Sequence, residues 1–345
     1  MQFSVLVDAS HIFDGGAKIL LYTLLSELDK LGINYIVLVD KRLRSIECGG
    51  KIIVTSSNPI FVALKLIYIK YNFKTKNHFS FNSRPPTIKV GNSIVYFHNL
   101  VFFEESKINL KKKLKDFIKK VYWRIFITNI DNLIFQTPYG YKLFKEYITV
   151  SKKTSISFIP FFNDIGLKIN LNNLTSDSFK KYDFIYPSLP YPHKNHLILL
   201  KAWEVLFDRG KEYSLVLTLL DLKTDYCNEV FKRIKTLQEK GLKIITFEVL
   251  SWEETMIKIK QSKAMIFPSN LESLGLGLVE ACMCDVPILM SNAECLSYVV
   301  EADYTFDLSN ESDLLNKIEK IHNYPKSRKI LIENKLDDLI ELIIN

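Results

Sequence analysis

The sequence has no run of about 18 consecutive apolar residues, the length a helix needs to cross a bilayer. Nor does its start, Met1 to Asp8, carry the basic region, apolar run and small-residue cleavage site of a secretory signal. Both absences point to a cytoplasmic protein, peripheral on the inner face of the cell membrane if it meets a membrane at all. Cysteine is sparse. The five, Cys48, Cys227, Cys282, Cys284 and Cys295, are odd in number and show no Cys-x-x-Cys or Cys/His spacing suited to zinc. That excludes a disulfide framework and leaves reduced, mostly buried thiols. With 12 glycines in the chain, Gly15-Gly16 lacks the third glycine of a dinucleotide fingerprint, and Asp40 is a poor ribose ligand without it. Nicotinamide cofactors are therefore excluded. No Asp-x-Asp suited to a metal-bound diphosphate occurs, since Asp337-Asp338 falls in the last helical stretch. No cofactor and no metal is expected.

What is present is a globular composition long enough for two cores. The 345 residues exceed one ordinary hydrophobic core and imply two domains of roughly 150 residues each. The charge is uneven. Residues 1–160 carry 24 Lys and Arg against 11 Asp and Glu, or +13, whereas residues 161–345 carry 22 against 27, or −5. Only the first half is built to meet something anionic.

Short β-branched or aromatic runs alternate with longer periodic ones. Strands are expected at 3–9, 34–39, 51–55, 93–98, 132–136 and 155–159, then at 183–187, 213–220, 242–248, 264–268 and 286–290. Helices are expected at 16–31, 58–71, 108–127, 138–147, 195–208, 225–240, 251–261 and 274–284. This alternation predicts an α/β protein with parallel sheets covered on both faces. A polar gap at 163–181 reads as the linker. The domains expected are 1–165, 166–326 and a terminal helical segment, 327–345, free to pack back on the first.

The most informative segment is Phe267-Pro-Ser-Asn-Leu-Glu272-Ser-Leu-Gly275-Leu-Gly277-Leu-Val-Glu280-Ala281. It follows an apolar strand and opens a helix. Glycines at the first turn allow close approach of a ligand to the backbone. The uncapped N–H groups and positive dipole end there suit a diphosphate. Glu272 precedes the helix and Glu280 lies about two turns inside it, a separation on the order of 10–12 Å at about 1.5 Å rise per residue. One carboxylate would then stand near a sugar and the other near a ribose, as in dinucleotide-binding enzymes. The plainer reading is a turn followed by a helix with Glu280 on a solvated face.

Residues 267–291 resemble the Phe-Pro-Ser-x-x-Glu-x-x-Gly-x-x-x-x-Glu-Ala signature of the family 4 retaining glycosyltransferases, with Glu272 and Glu280 as its glutamate pair. Further resemblances run along most of the chain. Gly15-Gly16 resembles the family's glycine pair facing the donor phosphates, and His98 in Val95-Tyr-Phe-His98-Asn99 a histidine near the reacting sugar. Phe135-Gln136-Thr137 resembles a strand-end Gln-Thr. Tyr186-Pro-Ser-Leu-Pro-Tyr-Pro-His193-Lys194-Asn195 resembles the opening of the second domain. The resemblance implies the GT-B fold, two Rossmann-like domains facing a cleft, and a metal-independent retaining transferase. It implies that Lys194 contacts the donor diphosphate, that Glu280 holds the ribose and that Glu272 lies over the donor sugar. Ser273, Leu274, Gly275 and Leu276 would complete the phosphate cradle. One departure is Ser188, where many members carry an arginine six residues before the lysine. The Pro-His-Lys-Asn form resembles a branch associated with bacterial surface-polysaccharide assembly, in O-antigen or capsule.

His98 ends an apolar strand at its carboxyl end, where parallel sheets place ligands. It reads either as a sugar-contacting group or as a satisfied core histidine. Asn99, Gln136 and His193 are further acceptor-side or cleft residues on this reading. Residues 108–127 form a basic amphipathic helix with an apolar stripe at Leu110, Leu114, Phe117, Val121 and Ile125, expected to pack on the core. Lys111, Lys112, Lys113, Lys115, Lys119, Lys120 and Arg124 supply a charge density that suits anionic lipid headgroups and a lipid-linked saccharide acceptor. Nucleic acid is not expected as a partner, because the basic stretch lacks aromatics spread over a sheet platform. The rival readings are a nucleotide-sugar epimerase of the same fold and a non-catalytic protein binding a membrane or nucleic acid.

Overall fold

The computed structural model describes residues 2–43, 46–103, 110–163, 180–248, 250–323 and 327–345. The chain divides into two compact units, residues 1–163 with 333–345, and residues 164–332. The gap read as a linker, 163–181, falls largely outside the described residues.

In the first unit the chain runs β1 (Gln2–Ala9), α1 (Gly15–Lys30), β2 (Tyr35–Asp40), β3 (Lys51–Thr55), α2 (Pro59–Asn72), β4 (Lys74–Ser80), β5 (Asn92–Phe97), α3 (Leu110–Phe126), β6 (Asn132–Phe135), α4 (Pro138–Tyr147) and β7 (Ser155–Phe158). Its sheet is parallel throughout, in the order β3-β2-β1-β4-β5-β6-β7. Strands Val5–Val7 and Ile36–Val39 are fully buried, as expected when helices cover both faces. A second core lies under β5 and β6, where Phe97, Phe135, Phe144 and Trp123 meet at centroid distances of 5.0–5.6 Å in tilted and edge-on contacts.

In the second unit follow β8 (Tyr182–Pro187), α5 (His196–Asp208), β9 (Leu215–Thr218), α6 (Asp225–Glu239), β10 (Ile244–Phe247), α7 (Trp252–Lys260), β11 (Ser262–Phe267), α8 (Leu276–Met283), β12 (Ile288–Ser291), α9 (Glu294–Ser297), β13 (Val300–Glu301), β14 (Tyr304–Phe306), α10 (Glu311–Asn323) and β15 (Lys329–Ile330). The six-stranded sheet, β10-β9-β8-β11-β12-β14, is again parallel. In each sheet the order turns back at the middle, between β1 and β4 and between β8 and β11. At such a switch point two consecutive loops part and leave a crevice for a ligand.

Three expectations are corrected. The central strand β4 was not anticipated, because Lys74-Thr-Lys-Asn-His-Phe-Ser80 has no apolar alternation. Two of its buried polar groups find partners instead: Asn77 Nδ2 donates to Ile343 O at 3.0 Å, and Ser80 Oγ to Arg84 O at 2.8 Å. The strand also needs a glycine neighbour. A Cβ on Gly91, whose φ is 77°, would lie 2.3 Å from Lys76 O. Secondly, β14 and α10 fill a region given no element. Thirdly, 327–344 is not one helix: β15 pairs antiparallel with β13, and α11 (Leu336–Ile344) begins only later. Helix α11 belongs to the first unit, with Leu339 and Ile343 fully buried against β1 and β4. Asn334 fixes its approach, its side chain accepting from Phe162 N at 3.2 Å and donating to Phe162 O at 2.9 Å.

Candidate functional site

The two loops that part at the switch point of the second sheet carry the glutamate motif and Lys194. After β8 the chain makes a single 3-10 turn, Pro192–Lys194, then places Asn195 in the left-handed region (φ 56°) before α5 starts. After β11 it runs through 268–275 into α8. Hydrogen bonds hold the loops together. Tyr186 Oη lies 3.0 Å from Lys194 O and 2.9 Å from Ser269 Oγ; Asn195 Nδ2 donates to Pro268 O at 2.8 Å, and Asn270 N to His193 O at 3.0 Å. The result is an ion pair between Lys194 Nζ and Glu272 Oε1 whose side chains remain 17% and 11% exposed. Both ends are therefore positioned by the fold yet reachable by a ligand.

Helix α8 starts where the motif predicts. Gly275 occupies its N-cap with φ 63°, and no side chain caps it, so its first N–H groups stay open to an anion. Leu274 and Gly275 are buried, while Ser273 and Leu276 are half-covered. Gly277 has a different duty from the one expected. A Cβ there would meet Phe267 Cε2 at 3.3 Å, so it lets the helix pack close to β11 rather than admitting a ligand.

Glu280 is not on a solvated face. It is 9% exposed and its Oε1 accepts a 3.1 Å bond from Trp252 Nε1, at the first turn of α7. Burial pushes its pKa up to about 7, and the Trp252 bond only partly opposes this. The missing arginine at Ser188 is not replaced by a nearby histidine. His196 Nε2 donates to Ser188 O at 3.1 Å, and burial holds its pKa at about 3; burial and then the charge of Lys194 hold that of His193 at about 4. Both rings are neutral at pH 7. His193 is buried and stacks on Tyr191 at 5.8 Å, which makes it a wall of the loop.

Residues 177–337 match the family model of glycosyl transferases group 1, a span that takes in all of these residues. The chain carries a group 1 glycosyltransferase domain. Among curated proteins, the O-antigen chain mannosyltransferase RfbU of Salmonella typhimurium is 24% identical over 226 residues, 60% of each chain. The match thus spans three fifths of that relative's length. Among solved structures, HepE of Anabaena in complex with UDP and glucose superposes with a TM-score of 0.66 at 15% identity, over 93% of this chain and 89% of that one. Sucrose-phosphate synthase of Thermosynechococcus elongatus gives 0.75 at 16%, over 99% and 96%. At these identities the likeness is one of fold: two Rossmann-like parallel-sheet units of the GT-B kind.

The glycosyltransferase motif alone pointed to neither Trp252 nor Asn195 and Tyr186, which hold its glutamates and lysine in place. Ser251 and Glu254 form a capping box that marks the start of α7, and this is the signal that places Trp252 at a helix end. Among the described residues no three His, Cys, Asp or Glu side chains converge as a metal site would require.

In the first unit Gly15 (φ 62°) and Gly16 open α1, both exposed. His98 directly follows β5 and Gln136 directly follows β6, and the pairing of Phe97 with Phe135 sets them side by side. Burial holds the His98 pKa at about 4, so its ring is neutral and packs on Phe81 at 4.9 Å. Its Nδ1, both amide atoms of Gln136 and Thr137 Oγ1 are buried with no hydrogen-bond partner among the described residues. Unpaired groups of this kind are costly unless a ligand or water completes them. Asn99 is exposed.

The basic helix departs from expectation. The side chains of Lys111, Lys112, Lys113 and Lys115, and that of Leu110, lie outside the described ones. Three of its stripe residues do not pack on the core: Leu114, Phe117 and Ile125 are 60%, 62% and 59% exposed, while Val121 is half-buried. Trp123, fully buried in the aromatic cluster, anchors α3 instead and turns the stripe outward. Lys119 pairs with Asp116 at 3.1 Å, Lys120 lies over the Tyr147 ring at 4.5 Å, and Arg124 is exposed. No helix among the described residues is long and apolar enough to cross a membrane.

Proposed function

We propose that this protein transfers a sugar from a nucleoside-diphosphate sugar to a lipid-linked saccharide during assembly of a bacterial surface polysaccharide. Transfer retains anomeric configuration and needs no divalent metal, as in the family 4 enzymes that the sequence resembles. The observation that carries the reading is the Lys194–Glu272 pair at a sheet switch point, beside the uncapped N-terminus of α8. Lys194 and the helix end are disposed to hold a diphosphate and to take up charge as it leaves. Glu280 then receives the ribose hydroxyls and Glu272 faces the sugar. HepE, crystallised with UDP and glucose, supports a nucleotide-sugar donor, and RfbU, an O-antigen chain mannosyltransferase, supports the polysaccharide context.

The test is nucleoside diphosphate release from a panel of UDP-, GDP- and dTDP-sugars in EDTA, with and without a lipid-linked acceptor fraction. Acceptor-dependent release from one donor is expected. Conversion of a donor without acceptor would establish an epimerase instead. Silence across the panel, with no nucleotide binding, would leave only a binding protein.

The outward stripe of α3 and its cations support residence at an anionic membrane surface. The purified chain is expected to co-sediment with vesicles containing anionic lipid and to be released by salt. Replacing Lys119, Lys120 and Arg124 by glutamine should weaken binding roughly hundredfold, at about 1 kcal/mol for each cation removed. Equal binding to neutral and anionic vesicles would count against this surface.

A further inference from the structure

The switch point of the first sheet, between β1 and β4, carries a cavity of about 290 Å³, near the lower end of the range typical of ligand pockets. Its polar floor is Asp8, Ser10, His11, Asn82 and Arg84; its walls are apolar and come chiefly from α2, α3 and the Pro85-Pro86 turn. All of these residues belong to the first unit and none to the group 1 domain.

Arg84 is the unusual member. Its Nη1 lies 2.9 Å from His11 Nε2. Because a guanidinium only donates, that nitrogen must accept, and His11 is the neutral tautomer with its proton on Nδ1, facing Ser10 Oγ at 3.1 Å. Burial and the Arg84 charge hold the His11 pKa at about 4, in keeping with that neutral form. Among the described residues no carboxylate forms an ion pair with Arg84: its direct partner is the neutral His11 ring, and the buried Asp8 carboxylate on the same floor acts on it only at longer range.

The backbone around Arg84 is tied down on every side. Ser83 adopts φ 53°, a strained value for a residue with a side chain. Ser80 Oγ donates to Arg84 O at 2.8 Å, and Ser83 Oγ accepts from His98 N at 2.9 Å. Tyr122 Oη donates to Pro85 O at 2.7 Å, and Asn129 Nδ2 to Pro86 O at 2.8 Å. Four side chains and one strained residue thus fix where the guanidinium stands. Such fixing lowers the entropy cost of binding a ligand and has no evident use in folding alone.

The rim is greasy. Pro59, Val62 and Leu66 of α2 line the cavity, while Ile60, Phe61, Leu64, Tyr68 and Tyr71 of the same helix are 47–82% exposed. No acidic residue occurs between Cys48 and Phe103, a stretch with seven lysines and arginines. A floor whose guanidinium makes no ion pair, with the Asp8 carboxylate beside it engaged by Ser10 N, under an apolar, acid-free rim matches a phosphate ester joined to a hydrocarbon chain.

We propose that this cavity binds the phosphate of a lipid-linked acceptor, with Arg84 as the anion ligand and the rim taking the first part of the lipid chain. This rests on the glycosyl-transfer reading, since it names that acceptor's anchoring group. The test is calorimetry on the full chain with farnesyl diphosphate, and separately with inorganic diphosphate, UDP and GDP. Farnesyl diphosphate should bind, Arg84→Gln should weaken it about 10- to 100-fold, and Arg84→Lys should fall between, keeping charge but losing the forked donors. Nucleotide affinity should be the same in all three proteins, which also shows that the variants are folded and tests the donor reading independently. Unchanged farnesyl diphosphate binding in Arg84→Gln would overturn the proposal, as would its competition with UDP or GDP. Inorganic diphosphate binding as tightly as farnesyl diphosphate would overturn the lipid half.

Discussion

Glu272→Gln is expected to lower kcat by about 10²- to 10³-fold, the range typical of removing one preorganised electrostatic contact. Nucleoside diphosphate affinity should stay equal or rise. Lys194 Nζ is held by Glu272 Oε1, and Glu272 N donates to Cys295 Sγ at 3.3 Å, so the carboxylate is placed by its own backbone as well as by the lysine. A diphosphate must compete with Glu272 for Lys194. Glutamine keeps the shape and removes the competing charge, which frees the lysine for phosphate while deleting the carboxylate proposed to face the sugar. Lys194→Ala should do the reverse, weakening nucleotide binding about 10- to 100-fold through loss of charge-assisted bonds. A drop in kcat with binding intact identifies a contact made only in the transition state. A Glu272→Gln protein whose kcat stays within about threefold of the parent would remove Glu272 from the chemistry.

Much of this site was legible because its chemistry is local. The glycine at 275 and both glutamates sit within one strand-loop-helix unit, where spacing in sequence is spacing in space. Lys194 lies 78 residues before Glu272, and only the resemblance joined them; the fold does so by setting β8 beside β11. Strands such as Val5–Val7 were equally plain, since burial on both faces leaves an uninterrupted apolar run. Strand β4 was hidden for the converse reason. Its buried polar side chains are Asn77, His78 and Ser80: Asn77 bonds a carbonyl of the terminal helix and Ser80 the Arg84 carbonyl, while the His78 ring lies 3.7 Å from Asp8. No periodicity reports such bonds.

The stripe of α3 shows a second limit. Its spacing was right for one face of a helix, but periodicity does not say which face the protein covers. A single residue decided it: Trp123 outweighs the smaller apolar side chains and turns them to solvent. Arg84 was invisible for a third reason. Its significance is that no carboxylate among the described residues forms an ion pair with it, and that is a property of the folded molecule alone.

With its pKa raised from 4.5 to about 7, Glu280 binds its proton more tightly in the folded chain than in the unfolded one. Stability from this group is therefore fully present below about pH 4.5 and is lost as pH rises through about 7, where the buried carboxylate must ionise. The loss approaches about 3 kcal/mol at higher pH, because each tenfold gain in proton affinity on folding is worth about 1.36 kcal/mol. Glu280→Gln removes that penalty and can still accept the Trp252 bond through its amide oxygen. At pH 8 it should melt several degrees above the parent, at about 2–4 °C per kcal/mol, and at pH 5 the gap should shrink to about a quarter of that. The same change should weaken nucleotide binding at pH 8, since two ribose hydroxyls donate better to a carboxylate than to an amide. In the parent, nucleotide affinity should tighten as pH rises through about 7, opposite in sign to the melting trend. A stabilised variant that binds its nucleotide poorly would mark Glu280 as a charge the fold tolerates for its ligand. If the parent and Glu280→Gln melt alike at pH 5 and pH 8, the carboxylate is not carrying that burden, and the assignment of Glu280 to the ribose loses its physical support.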